Sequence, residues 1–156
     1  FIGQNYGAGK MQRVRKGYNA AMTLMVIWGL LCSLVLIVFP EFLFQIFIRE
    51  TDVLDMGVSY LRILGVCQLC VCMEGCSTGA FNGLGETRIP SAVSIVFNLA
   101  RIPMAILLPM TPLGLDGIWW ALTISAILKG VVLTAWYLLY VHKRKLYEQD
   151  REIPAV

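Results

Sequence analysis

The sequence predicts an all-α fold, a polytopic integral membrane bundle of four transmembrane helices, because of its composition and its long uncharged runs. Of the 156 residues, 58% are hydrophobic and only 15% are charged, and the mean hydropathy is +0.70. Soluble domains average about 45–50% apolar and about 25% charged residues, so a soluble core could not enclose this much apolar surface. Lipid must therefore solvate much of the chain.

Four apolar runs are long enough to cross a bilayer. The first has no charge over the 24 residues 17–40. That length gives roughly 36 Å of helix, against a hydrocarbon core of about 30 Å. None of the runs shows the two-residue period of a strand. We predict one membrane domain over residues 1–156, with helices at about 12–39, 52–81, 89–110 and 117–142 and a cytoplasmic tail at 143–156.

Basic residues are divided unequally between the two ends of these helices. One end receives nine of them, and the other receives only Arg49. The nine are Lys10, Arg13, Arg15, Lys16, Arg88, Lys143, Arg144, Lys145 and Arg151. The positive-inside rule places the basic end in the cytoplasm, together with both ends of the chain. We expect a multi-pass protein of the cell inner (plasma) membrane, since nine basic residues against one is not the distribution expected of four buried helices in a large soluble protein.

The glycine-rich stretch GAFNGLGETRIPS, residues 79–91, predicts a tight turn between two membrane helices. A phosphate-binding P-loop needs G-x-x-x-x-G-K-[ST], and neither GLGETR nor GQNYGAGKM has that pattern. Gly83 and Gly85 permit positive φ and close backbone approach. Gly75, Gly79 and Gly83 recur every four residues, which favours close packing of membrane helices over a ligand contact.

The five cysteines lie inside apolar runs and predict neither a disulfide framework nor a metal site. Cys72 and Cys76 share one helix face, while Cys67 and Cys70 lie on roughly the opposite one. The sequence also lacks a cluster of His, Glu and Asp, and it has no nucleophile paired with a base. We therefore expect no metal, no cofactor, no enzyme activity and no nucleic-acid partner.

Three charged residues lie inside the predicted spans: Glu74, Arg101 and Lys129. Charge is costly in lipid, so these side chains are expected to face the bundle interior or a wet cavity. By rise per residue, Glu74 lies about 10 Å from the cytoplasmic end of its helix, and the two basic residues lie about 16–18 Å from theirs. A long basic side chain could span that difference. Two interpretations of these charged residues stay open: they form a structural ion pair, or they form a site that binds a proton or another cation.

The stretches GQNYGAGK, RVRKGY and, about 60 residues later, GAFNGLGETRIP resemble the multidrug and toxic compound extrusion (MATE) family. FNLARIPMAILL and GLDGIWWALTIS resemble the helices that follow in bacterial members. Family members have twelve helices in two lobes, so the resemblance implies a partial second lobe containing the end of helix 8 and helices 9 to 12. Because the chain begins with Phe1 rather than Met, we expect a fragment with missing sequence upstream.

The resemblance also assigns roles to particular residues. Members carry the GQNYGAG pattern in a cytoplasmic loop and the GxxxGxGxT pattern after the fourth helix of the second lobe. The matching residues are implied structural turn residues: Gly3, Gln4, Gly7, Gly79, Gly83, Gly85 and Thr87. Members often carry an acid on the tenth helix, and Glu74 is the only acid between Met56 and Phe81.

The function implied by the resemblance is secondary active efflux of organic cations or other amphipathic compounds in exchange for H⁺ or Na⁺. Glu74, Arg101 and Lys129 are the expected substrate- and ion-binding residues, with Glu74 carrying the coupling ion. The expected partners are membrane lipid, a small-molecule substrate and the N-terminal part of the same transporter. Two alternatives stay open: a lipid-linked precursor flippase of the same fold superfamily, and a four-helix membrane subunit that does not transport.

Overall fold

A computed structural model of the chain describes residues 1–46, 51–110, 112, 114 and 116–151, with side chains described except at 51–53 and 144–151. Part of the predicted charge distribution lies outside the described residues, namely Arg49 and the side chains of Arg144, Lys145 and Arg151. The last five residues of the predicted tail, 152–156, also lie outside them.

Six α-helices and one 3₁₀ turn make up the described chain, which contains no strand. In order they are α1 (Ile2–Gly7), α2 (Met11–Val38), α3 (Pro40–Gln45), α4 (Thr51–Gly83), α5 (Arg88–Leu107), the 3₁₀ turn Leu108–Met110 and α6 (Asp116–Arg151). Four segments are long and apolar enough to cross a membrane: Met11–Val38, Leu54–Gly83, Arg88–Met110 and Asp116–Lys143. The predicted all-α fold class with four membrane-spanning helices is confirmed. The backbone of residues 143–151, which the sequence assigned to the tail, continues α6.

Proline and glycine mark the ends of the long helices. Helix α2 ends at Val38, two residues before Pro40, because a residue that precedes proline is disfavoured in the helical conformation. Helix α4 ends at Gly83, and Gly85 then adopts φ +80° in the turn that follows. Pro90 lies in the first turn of α5, where its missing N–H costs no hydrogen bond.

Helix α4 is central in the bundle, with α2 packed on one side of it and α6 on another. Helix α5 packs mainly against α6 and makes little contact with α4. Glycines permit the close approaches: a Cβ at Gly29 of α2 would lie 3.1 Å from the Cα of Leu69, and a Cβ at Gly130 of α6 would overlap the carbonyl of Cys70. Such small-residue contacts let membrane helices maximise van der Waals packing.

The buried apolar cluster lies at one end of the bundle. Its members come from α2, α4, α5 and α6 and from the turn after α4: Val14, Tyr18, Ala80, Phe81, Leu84, Val93, Leu133 and Tyr137. The start of the chain lies at the same end, since a Cβ at Gly3 would be only 2.9 Å from the carbonyl oxygen of Gly83. Helix α1 and the turn after α4 therefore share one end of the bundle, which we call the basic end.

Candidate functional site

A charged pair joins α4 to α6 inside the membrane-spanning segments. The Lys129 ammonium Nζ lies 2.8 Å from Oε1 of the Glu74 carboxylate. The two side chains are only 13% and 18% exposed, respectively. Because the carboxylate and the ammonium neutralise each other at hydrogen-bond distance, the pair can lie in an apolar bundle at much lower cost than either charge alone.

Gly130 explains why Lys129 reaches its partner. The absence of a side chain at Gly130 lets the α6 backbone contact the Cys70 carbonyl of α4. Glu74 follows Cys70 by four residues, so both lie on the same face of α4. This close contact between the two helices is therefore directly beside the residues that carry the charges.

Arg101 has a different environment from the other two predicted site residues. It lies on α5, and it forms no ion pair within the part of the chain that the structure describes. Its Nε is buried and has no hydrogen-bond partner there. Of the three predicted site residues, the structure thus brings Glu74 and Lys129 together and leaves Arg101 apart, because α5 packs on α6 rather than on α4.

A chain of buried hydroxyl groups lies next to the charged pair, towards the basic end. Tyr18 of α2 and Ser77 of α4 are hydrogen bonded at 3.0 Å, and Ser77 is hydrogen bonded to Thr134 of α6 at 3.0 Å. Ser77 follows Glu74 by three residues, which places it one turn farther along α4. Three helices are therefore joined by hydrogen bonds beside the ion pair.

The sequence analysis did not identify these three hydroxyl residues. The sequence feature that could have indicated them is their position in long apolar helical runs. Ser and Thr in such runs commonly form hydrogen bonds between membrane helices. Other hydroxyls in the bundle bond to backbone carbonyls in the same way. Ser33 donates to the carbonyl of Gly65 at 2.7 Å, and Ser125 donates to that of Phe97 at 3.1 Å.

Aromatic side chains close the basic end beyond the hydroxyl chain. The Tyr137 ring lies 4.0 Å from the Tyr18 ring and 5.2 Å, edge to face, from the Phe81 ring, measured between centroids. The Tyr140 hydroxyl donates to Oε1 of Glu86 at 2.9 Å, which ties α6 to the turn after α4. The ion pair is thus separated from the basic end of the bundle by packed aromatic rings.

The predicted turn residues after α4 have distinct positions. Gly85 has a positive φ of +80°, as its place in the turn requires. Gly83 is the last residue of α4 and accommodates the Ile2 side chain, with 3.0 Å between the Ile2 Cβ and a Cβ built at Gly83. Thr87 accepts a hydrogen bond from the Ser91 hydroxyl at 2.8 Å. Gly79 lies inside α4.

The other predicted turn residues belong to α1. Gly3 contacts the Gly83 backbone, and the Gln4 carbonyl accepts a hydrogen bond from the Ala8 amide at 3.1 Å. Gly7 ends the helix, and a Cβ built there would have no described atom within 4 Å. Gly9, with φ +69°, makes the turn into α2.

The four-residue glycine repeat on α4 does not face another described helix over its whole length. A Cβ at Gly75 or Gly79 would have no described atom within 4 Å, while Gly83 is in close contact with α1. The close helix packing predicted at Gly75 and Gly79 stays a prediction.

Among the described residues, no group of three or more His, Cys, Asp and Glu side chains could hold a metal ion.

Comparison with known proteins identifies relatives over most of the chain. A family model described as MatE matches residues 1–107. A probable multidrug resistance protein NorM of Chromobacterium violaceum is 27% identical over 157 residues, which cover 96% of this chain and 33% of that protein. A protein of Thermotoga maritima with the same description is 22% identical, over 88% of this chain and 30% of that protein.

A eukaryotic protein is similar to the same degree. The multidrug and toxin extrusion protein 1 of Homo sapiens is 24% identical over 132 residues, which cover 83% of this chain and 23% of that protein. The chain therefore spans between 23% and 33% of the length of these relatives. Together with the four apolar helices, this similarity makes the chain a multi-pass membrane protein.

Proposed function

The chain belongs to the MatE family, and from this we propose that the complete protein is a secondary active multidrug efflux antiporter. In this proposal it exports organic cations or amphipathic compounds in exchange for H⁺ or Na⁺, and it is a transporter rather than an enzyme. It lies in the inner (plasma) membrane with the basic end of the bundle and the C-terminus in the cytoplasm. The described chain acts together with an N-terminal part that supplies the remaining helices.

The observation that carries this proposal is the Glu74–Lys129 ion pair inside the membrane-spanning segments. Ionisable groups at such depth are expensive and mark ion and substrate pathways in transporters. Relatives described as multidrug resistance proteins support the class of activity. The pair supports a site at which one cation can replace another.

We propose that Lys129 acts as an internal cation that competes for Glu74. A proton or Na⁺ that reaches the carboxylate neutralises the charge that holds the Lys129 ammonium. A cationic substrate does the same by pairing with Glu74 directly. Because one carboxylate cannot pair fully with two cations, the coupling ion and the substrate exclude each other, which is the requirement for antiport.

Arg101 has a separate place in this proposal. Its buried Nε has no hydrogen-bond partner within the described residues, so a donor remains available to a ligand. An unsatisfied buried N–H costs free energy that a bound acceptor recovers. We assign to Arg101 the binding of polar groups on an amphipathic substrate, while Glu74 and Lys129 exchange the cations.

The test is transport of ethidium by the complete protein in proteoliposomes, driven in separate assays by a pH gradient and by a Na⁺ gradient. Glu74→Gln removes the charge at nearly constant size, and we expect gradient-driven ethidium transport to fall to background. Lys129→Gln removes the internal competitor, and we expect ethidium to bind about tenfold more tightly while turnover slows. The gradient that drives wild-type transport identifies the coupling ion.

Glu86→Gln is the matched control, because it makes the same chemical change at a carboxylate bonded to Tyr140 outside the ion pair. It should retain at least half of the wild-type transport rate. Normal ethidium transport by a folded Glu74→Gln variant would contradict the assignment of Glu74. Transport of a lipid-linked precursor with no ethidium transport would instead favour a flippase.

A further inference from the structure

A cavity lined by polar and apolar side chains lies at the basic end, apart from the Glu74–Lys129 pair. The cavity has a volume of about 430 Å³ and lies between the first turns of α2 and residues 137–142 of α6. Its polar residues on α2 are Gln12, Arg15 and Asn19, which share one helix face, and His142 faces it from α6. No acidic residue is among the described residues that line it.

Tyr137 lines the cavity but offers no donor to a ligand there. The residue is only 1% exposed, and its hydroxyl, which has no hydrogen-bond partner in the described part of the chain, is itself buried. The donors that a ligand could contact are therefore the side chains on α2 and His142.

The other side of the cavity is apolar and open. Leu138 and Leu139 line it and are 53% and 62% exposed, respectively. These leucines lie within five residues of the end of the last candidate membrane span, Asp116–Lys143. The ligand must therefore combine a polar head with an apolar chain.

The basic residues near the cavity favour a ligand whose polar head is negatively charged. The first 40 residues contain Lys10, Arg13, Arg15 and Lys16 and no acidic residue at all. Basic pockets between membrane helices favour anionic lipid headgroups. A phosphate also accepts hydrogen bonds from a guanidinium donor.

We propose that this cavity binds an anionic phospholipid. The phosphate oxygens accept hydrogen bonds from the Arg15 guanidinium. Gln12, Asn19 and His142 bind the remainder of the headgroup. An acyl chain packs along Leu138 and Leu139, and the lipid bridges the ends of α2 and α6.

The test is native mass spectrometry of the delipidated complete transporter, titrated with phosphatidylglycerol and, in parallel, with phosphatidylcholine. Arg15→Gln should weaken phosphatidylglycerol binding about fivefold, and Arg15→Lys should restore most of it. Binding of phosphatidylcholine should change by less than twofold in every variant.

Arg13→Gln is the matched control, since Arg13 is exposed, carries the same charge and does not line the cavity. It should weaken phosphatidylglycerol binding by less than twofold. An effect of Arg13→Gln equal to that of Arg15→Gln would show diffuse attraction to the membrane surface and would overturn the proposal. If a variant lost its thermal transition, the comparison would be made with photoreactive phosphatidylglycerol on the wild-type protein.

Two further measurements identify the occupant. Glycerol 3-phosphate, which has the headgroup phosphate without acyl chains, should not displace phosphatidylglycerol at millimolar concentration. Complete displacement would mean that a free phosphate compound, not a lipid, fits the cavity. Phosphatidylglycerol with a photoreactive acyl chain should label Leu138 or Leu139. A cavity filled instead by another segment of the transporter would leave both unlabelled and would overturn the proposal.

Discussion

Helix α2 is more apolar than helix α6, yet it is the less buried of the two. The span of α2 has a mean hydropathy of 2.5, the highest of the four, but only 6% of its most apolar window is buried. The span of α6 has a mean hydropathy of 1.7, and 39% of its window is buried. In water the more apolar helix would be the more buried one. A bundle surrounded by lipid can have this arrangement, because apolar surface there has no reason to avoid the surroundings.

The residue types at the two surfaces explain the difference. The outward surface of α2 carries large apolar side chains, including Leu24, Trp28 and Leu34. The buried surface of α6 combines small and polar groups, such as Thr134 and Gly130, with the large side chains Leu133 and Tyr137. The small and polar groups bring backbones together and bond across helices, which are the forces that remain when lipid replaces water.

The largest expected effect tests the charged pair at the α4–α6 interface. Glu74→Gln leaves Lys129 without its counter-charge, and we expect the free energy of unfolding to fall by about 3 kcal/mol. The double variant Glu74→Gln with Lys129→Met should recover most of this loss, because no unpaired charge remains. Thermal unfolding of the purified transporter in detergent measures both. Equal destabilisation by the single and double variants would show that the pairing itself contributes little.

The next effect tests close packing at the same interface. Gly130→Ala places a Cβ against the Cys70 backbone carbonyl, which cannot rotate away, so we expect a loss of about 1–3 kcal/mol. The control is Gly79→Ala, where a Cβ has no described atom within 4 Å. It should change stability by less than about 0.5 kcal/mol. A large loss at Gly79 would show that segments outside this chain cover that face.

A smaller effect is expected from the hydroxyl chain. Thr134→Val removes the hydrogen bond to Ser77 at nearly constant shape, and we expect a loss of about 0.6–1 kcal/mol in the same unfolding measurement. Thr23→Val is the control, because the Thr23 hydroxyl bonds to the Asn19 carbonyl within its own helix. Equal losses at the two positions would mean that bonding between helices gives no extra stability.

The smallest effect is expected on the lipid-facing surface of α2. Leu30 is 53% exposed, and Leu30→Ala should change the unfolding free energy by less than about 0.5 kcal/mol, because lipid fills the space. Leu133, which is 0% exposed, provides the contrast, since its truncation leaves a cavity in the bundle. The midpoint of thermal unfolding should fall clearly for Leu133→Ala and hardly for Leu30→Ala. A large loss at Leu30 would place another helix against it.

Much of the candidate site was predictable, and the remainder depended on helix packing. The cost of charge in lipid singled out Glu74, Arg101 and Lys129. The rise per residue placed both basic residues within reach of Glu74, so the sequence could not choose between them. The choice of Lys129 follows from α6, not α5, lying against α4. The hydroxyl groups of Ser77 and Thr134 were not identified, because sequence gives no sign of which hydroxyls on different helices meet.

The sequence by itself indicated that lipid solvates much of the chain, where the four long helices lie and which family the chain resembles. These features follow from composition, run length and local motifs, which are properties of neighbouring residues. The sequence also determined which groups had to find partners inside the bundle. The tertiary structure alone decided which helices touch and therefore which partners were found. Helix contacts in lipid depend on shape complementarity at small residues such as Gly130, and this is a property of two surfaces that are distant in sequence.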